Sequence, residues 1–229
     1  MATVTARAII WNTTAGNKTT GSFTPAAGEL LVAIVGIATL DTAPTLSDSQ
    51  GGASWVLVDS FRSQAATGGL RMYVRSAAVT NTSMTVSYTS SGDAGGGIAV
   101  LSVTDPAVFG AGAVCSNGGQ ADQASATPAP VLNQTPRSTN AIVTAVMNNT
   151  NGTANGSVRT SPTYSEHYDQ GFNTPPTGIA VHSVNSGETS ATITWGGSTP
   201  STFASIAIEI NSPVTKQESG LMIGTASGG

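Results

Sequence analysis

Short runs of apolar or alternating residues recur along the chain between clusters of Gly, Ser, Asn and Pro, and helical spacing is nearly absent. That rhythm predicts many strands separated by turns, as in an all-β sandwich. The clearest runs are residues 5–11, 29–37, 55–61, 70–77, 83–88, 97–103, 141–147, 178–184, 191–195 and 204–210. Met84-Thr85-Val86-Ser87-Tyr88 and Ala191-Thr192-Ile193-Thr194-Trp195 alternate apolar with hydroxyl residues, which sends Met84, Val86 and Tyr88, or Ile193 and Trp195, to one buried face. Residues 30–35 and 206–210 are more continuously apolar, as expected of central strands covered on both sides.

The two halves of the pattern echo one another. Residues 69–74, 84–88 and 97–103 are followed, about 107–109 positions later, by the similar stretches 178–182, 191–195 and 205–210. Each half offers a modest core, so the reading is one interleaved domain over residues 1–212, a two-sheet sandwich of jelly-roll type with an internal pseudo-repeat. Its halves cover about 1–115 and 137–212; two tandem small domains are the alternative. Residues 90–97, 115–130 and 148–157 read as loops, and 116–136 as the crossing connection between the halves. Residues 213–229 read as an extended tail whose apolar stretch is Leu221-Met222-Ile223.

Composition narrows the function. Charged residues make up 9% of the chain and hydrophobic residues 39%, with net charge -4 and Val, Ile and Thr throughout, so the chain is expected to fold. Eight Lys and Arg in all are too few for a phosphate-binding face, so no nucleic acid is expected as partner. No apolar run approaches the ~20 residues that span a bilayer, and the N-terminal stretch lacks the build of a secretory leader. Cys115 is alone, which forbids an intrachain disulfide; it reads as a small strand residue rather than a nucleophile.

Candidate chemistry is sparse. Tyr164-Ser165-Glu166-His167-Tyr168-Asp169 is the densest ionisable patch, where His167 with Asp169 makes a metal or acid–base pair or, more plainly, a solvated strand edge. His182 reads as a strand surface residue. Asp48 and Gln50 in Leu46-Ser47-Asp48-Ser49-Gln50-Gly51-Gly52 offer oxygens to a calcium ion, or Asp48 caps its own turn. Trp11, Trp55 and Trp195 are read as core rather than as a sugar-stacking platform. A glycan-cleaving pair of Glu166 or Asp169 with Glu188 or Glu209 is the weakest reading. The expectation is therefore a non-enzyme without cofactor or metal.

Gly28-Glu29-Leu30-Leu31-Val32-Ala33-Ile34-Val35, then Ser47-Asp48-Ser49-Gln50-Gly51 with Trp55, then residues 70–74, 84–88 and 98–103, resembles β-sandwich proteins of tailed bacteriophages. The resemblance implies a virion component of head-decoration or minor-tail type, on the outer surface of a particle assembled in the host cytoplasm. The leading expectation is a capsid decoration, or cement, protein that binds the outer head surface and stabilises capsomer contacts. Its partners would be the major capsid protein and copies of itself, as a trimer for instance. Contacts would run through Ile9 and Trp11 near the start, and Leu221, Met222 and Ile223 near the end. The alternative is a receptor- or carbohydrate-binding module of a tail or head fibre, in which Trp55, Tyr164, His167 and Tyr168 meet a surface glycan.

Overall fold

A computed structural model describes residues 1–39, 44–64, 68–90, 94–125, 127–148, 157–158, 162–174, 176–196 and 201–213. Two five-stranded antiparallel sheets form its centre. The first contains β1 (Val4–Asn12), β3 (Leu30–Ile37), β5 (Trp55–Gln64), β6 (Gly68–Arg75) and β8 (Gly96–Val103), in the order β1-β8-β3-β6-β5. The second contains β9 (Val114–Ser125), β10 (Ala141–Asn148), β12 (Ser165–Asn173), β13 (Pro176–Val184) and β15 (Ser201–Ile210), in the order β12-β13-β10-β15-β9. Outside the first sheet lie the short strands β2 (Lys18–Thr19), β4 (Thr45–Asp48) and β7 (Val86–Thr89), ordered β2-β7-β4; outside the second, β11 (Ser157–Val158) pairs with β14 (Trp195–Gly196). The one short helical turn described is a 3-10 turn at Gly110–Ala113.

The fold is thus all-β and consistent with a sandwich. The first sheet is built from strands within residues 4–103, and the second from strands within residues 114–210, so β9 comes from the stretch expected to be the connection. The halves meet face to face: β1 packs over β12, and β5 over β9 and β15. Only β5–β6 and β12–β13 join strands next to each other in sequence; the other pairs bring distant strands together, and the apolar face each sheet then presents is buried against the other.

Three apolar cores result. The central one lies between the five-stranded sheets and holds Leu30, Val32, Ile34, Met72 and Leu101 from one side and Val143, Met147, Val181, Ile206 and Ile208 from the other. The opposite faces of the same strands, with Leu31, Val35 and Ile98, pack on Val86 and Tyr88 of the outer layer. In the second half Ile142, Val146 and Ala180 pack on Ile193 and Trp195. This explains the unbroken apolar runs: every residue of β3, β8 and β10 is buried because both faces are covered. The expected one-sided alternation also holds, with Met84, Val86, Tyr88, Ile193 and Trp195 buried between exposed or half-buried hydroxyl residues.

Two sequence expectations need correction. Residues 116–125, read as loop, belong to β9, a twelve-residue edge strand bonded to β15. Its Gly, Asn and Gln content hides the strand signal because one edge faces water. Gly118 also sits where a Cβ would lie 2.0 Å from the Val131 carbonyl oxygen, so a β-branched residue there is barred. The alternating runs at 83–88 and 191–195 pair over shorter lengths than expected, partly through single bridges at Phe23–Met84 and Val131–Thr192.

Candidate functional site

Asp48 ends β4, and its carboxylate is fully engaged. Oδ1 accepts the backbone N–H groups of Gln50 and Gly51, each at 3.1 Å, closing the turn anticipated from the sequence. Oδ2 accepts Arg75 Nε at 2.9 Å and Trp55 Nε1 at 3.1 Å. Arg75 Nη2 also donates to Asp48 Oδ1 at 3.3 Å, and its Nη1 and Nη2 donate to the carbonyls of Gly51, Ala77 and Ala78. A groove of about 180 Å³ opens above this network, lined by Gln50, Gly51, Gly52 and Thr80 among others. The Asp–Arg–Trp triad beneath it ties a turn to a strand, and its carboxylate has little left to offer a cation.

The patch on β12 is split by the strand. The register of β12 against β13 shifts between Glu166 and Tyr168, placing His167 at a bulge. His167 Nε2 lies 2.7 Å from Ser183 Oγ, and burial pulls its pKa down. Tyr168 turns inward against the central core, donating to the Val100 carbonyl at 3.3 Å, and burial raises its pKa to about 12. Asp169 has its pKa raised, by burial first and by Glu166 second.

His182 is not the surface residue expected from Val181-His182-Ser183. It is 4% exposed, its ring 4.6 Å from Trp195 in an edge contact, with Glu166 Oε2 3.6 Å from Nε2. Burial, then the charge of His167, lowers its pKa to about 4. The outer β14 layer covers the face of β13 that periodicity alone assigned to solvent.

The other candidate residues are dispersed. Tyr164 packs in the outer core of the second half and donates to Glu188 Oε2 at 2.9 Å. Trp55 packs against the outer core of the first half, and Tyr168 against the central one, so these aromatics serve three different cores. Ile9 and Trp11 are half-buried in the seam between the sheets, where the Trp11 and Phe172 rings stand 6.0 Å apart. Leu221, Met222 and Ile223 lie outside the described residues. Glu209 accepts Asn140 Nδ2 at 2.6 Å and Arg137 N at 2.8 Å, while Glu29 is ion-paired with Arg7 at 2.6 Å. Cys115, half-buried beside Asn140, has its thiol pKa pushed up to about 11 by burial and then by Glu209, so it is protonated at neutral pH. Among the described residues no three His, Cys, Asp or Glu gather as a metal site, and no helix is long and apolar enough to cross a membrane.

One surface feature was not anticipated. On the seam where β5 faces β9, a groove of about 160 Å³ is lined by Val56, Leu57, Val58, Ala111, Val114 and Asn117. Leu57 is 42% exposed, and Val108, just before the 3-10 turn, is 44% exposed. In sequence the Val56–Val58 run reads only as strand, and nothing there shows that the strand would lie at an edge.

Compared with protein-family models, with curated proteins and with solved structures, the chain finds no match in any of the three.

Proposed function

We propose that this protein is a structural module of a bacteriophage particle, a decoration protein that sits on the outer head surface and adds contact area across capsomer boundaries. The observation that carries the reading is where the ionisable and aromatic side chains go. Glu29, Glu188, Glu209 and the side chain of Asp48 are buried and spent on turns, strand ends and one tyrosine, and Trp55, Tyr164 and Tyr168 are packed into separate cores. The polar chemistry serves the fold. A surface of low charge with free strand edges is left over, suited to adhesion multiplied by symmetry rather than to turnover.

The finer architecture supports the same reading. We read each half as a jelly roll and the chain as a duplicated one. In the first half the strand orders β1-β8-β3-β6 and β2-β7-β4 follow the winding of an eight-stranded jelly roll, with β5 carried over to the edge beside β6. In the second half β9-β15-β10-β13-β12 repeats that order strand for strand, and the Val131–Thr192 bridge stands where Phe23–Met84 stands in the first. Jelly rolls recur in viral capsid and lectin domains, an analogy of fold that lends weight but does not by itself assign a role.

The test is particle fractionation. Particles carrying the protein are expected to withstand heat and low ionic strength better than particles lacking it. Equal resistance with loss of host attachment would favour the fibre module that binds a surface glycan. Absence of the protein from purified particles would end both readings.

A further inference from the structure

The groove on the β5–β9 seam is open, lined by the aliphatic side chains of Val56, Leu57, Val58, Ala111 and Val114 together with Asn117, and close to the point where the described chain ends. β15 stops at Ile210, whose register partner is Val114, one of the groove's lining residues. Beyond it Asn211 is held on both sides, its N–H donating to the Ala113 carbonyl at 2.8 Å and its carbonyl accepting from Ala107 at 3.0 Å. Ser212 is anchored by Asn140, and Pro213 emerges exposed. The chain therefore leaves the sandwich beside Ala107, Val108 and the 3-10 turn that forms one wall of the groove.

Sixteen residues follow, 214–229, and their apolar stretch is Leu221-Met222-Ile223. From Pro213 to Leu221 an extended chain reaches up to about 26–29 Å, ample for a groove one strand away from the exit. Among the described residues β5 is the last strand of its sheet, so an arriving segment meets a strand edge as well as aliphatic walls.

We infer that the chain's own C-terminal segment occupies this groove, Leu221, Met222 and Ile223 covering Val56, Leu57, Val58 and Val114. The occupant is fixed by tethering: a segment joined to the groove's own wall meets it at a high effective concentration, whereas another copy's tail must come from solution. Covering Leu57 removes an apolar edge that would otherwise recruit other chains. This inference goes beyond the particle reading and does not depend on it.

The test is amide hydrogen exchange on the full-length chain. Amides of residues 56–58 are expected to exchange about ten-fold faster when Leu221→Ser, Met222→Ser and Ile223→Ser are combined, with exchange in β3 and β10 unchanged. Leu57→Ser, a change at an exposed position, should speed the exchange of residues 221–223 in return. Protection of 56–58 should persist on ten-fold dilution of a monomeric sample. Equal exchange in the parent and the triple variant would overturn the inference. So would protection that vanishes on dilution together with a dimer, because the occupant would then be a second copy.

Discussion

Asp59 and Tyr168 hold matching places in the two sheets: each follows a bulge in its edge strand, and each reaches across to the other half of the chain. In β5 the register shifts between Leu57 and Asp59 opposite Tyr73 and Met72; in β12 it shifts between Glu166 and Tyr168 opposite His182 and Val181. Asp59 Oδ2 accepts Asn117 Nδ2 at 2.8 Å, and Tyr168 donates to the Val100 carbonyl. The bulge re-aims the next side chain across the seam, so the same local irregularity makes one tie at each end of the interface.

Because the two ties lie on opposite seams, their losses should add. Asp59→Ala and Tyr168→Phe are each expected to cost about 0.5–1.5 kcal/mol, and the double variant the sum within about 0.5 kcal/mol. Urea unfolding of the three variants measures this. Marked non-additivity would mean that the seams open together.

Trp11 closes the seam at the β1–β12 end. Its ring packs on Phe172 and against Gly36, where an added Cβ would lie 2.6 Å from the indole. Trp11→Ala removes a large half-buried ring and should cost about 2–4 kcal/mol. Gly36→Ala forces the same ring to move and should destabilise as well, though it deletes nothing. Thermal unfolding of the two variants distinguishes packing from mere side-chain size.

The Asp48–Arg75 pair is buried, with the two side chains 0% and 3% exposed. Asp48→Ala leaves a guanidinium in the interior and frees the turn at Gln50 and Gly51, so a loss of about 3–5 kcal/mol is expected. Adding calcium should not raise the melting temperature of the parent protein, since both carboxylate oxygens are already taken. A rise of several degrees at millimolar calcium would contradict the structural assignment of this turn.

Acid should weaken the second half first. His182 has a pKa of about 4 in the folded state, below its ordinary 6.5, and that of His167 is lowered too. The unfolded chain therefore binds protons more readily, so the stability tied to neutral His182 is complete above about pH 6.5 and drains away as pH falls toward 4. The loss is on the order of 2–3 kcal/mol. Asp169, with its raised pKa, acts in the opposite sense lower down, in the carboxylate range. His182→Phe keeps a ring against Trp195 and cannot titrate, so its stability between pH 6.5 and 4 should be flatter than the parent's in denaturant titrations.

The core strands were legible because burial leaves a mark on composition. Residues 30–35 are apolar without interruption, 206–210 are apolar but for Glu209, and 84–88 and 191–195 alternate with a period of two, so these stretches were readable as strands. The turn at Asp48 was legible for the same local reason, a short acid next to Gly. By contrast β9 was hidden, since an edge strand has one row of backbone groups in water and tolerates Gly, Asn and Gln. His182 was misplaced because alternation says which residues share a face and not what will cover that face.

By itself, then, the sequence determined the secondary structure class and the identity of most core residues, both of which depend on neighbours a few positions away. Tertiary structure alone decided that strands within residues 4–103 and strands within residues 114–210 form separate five-stranded sheets, that Trp11 and Phe172 meet, that His182 lies beneath Trp195, and that Leu57 borders an open groove. Those facts join residues up to about 160 positions apart, and a contact of that range leaves no period in a single chain. It is selected by the fit of whole surfaces, once the sheets have formed.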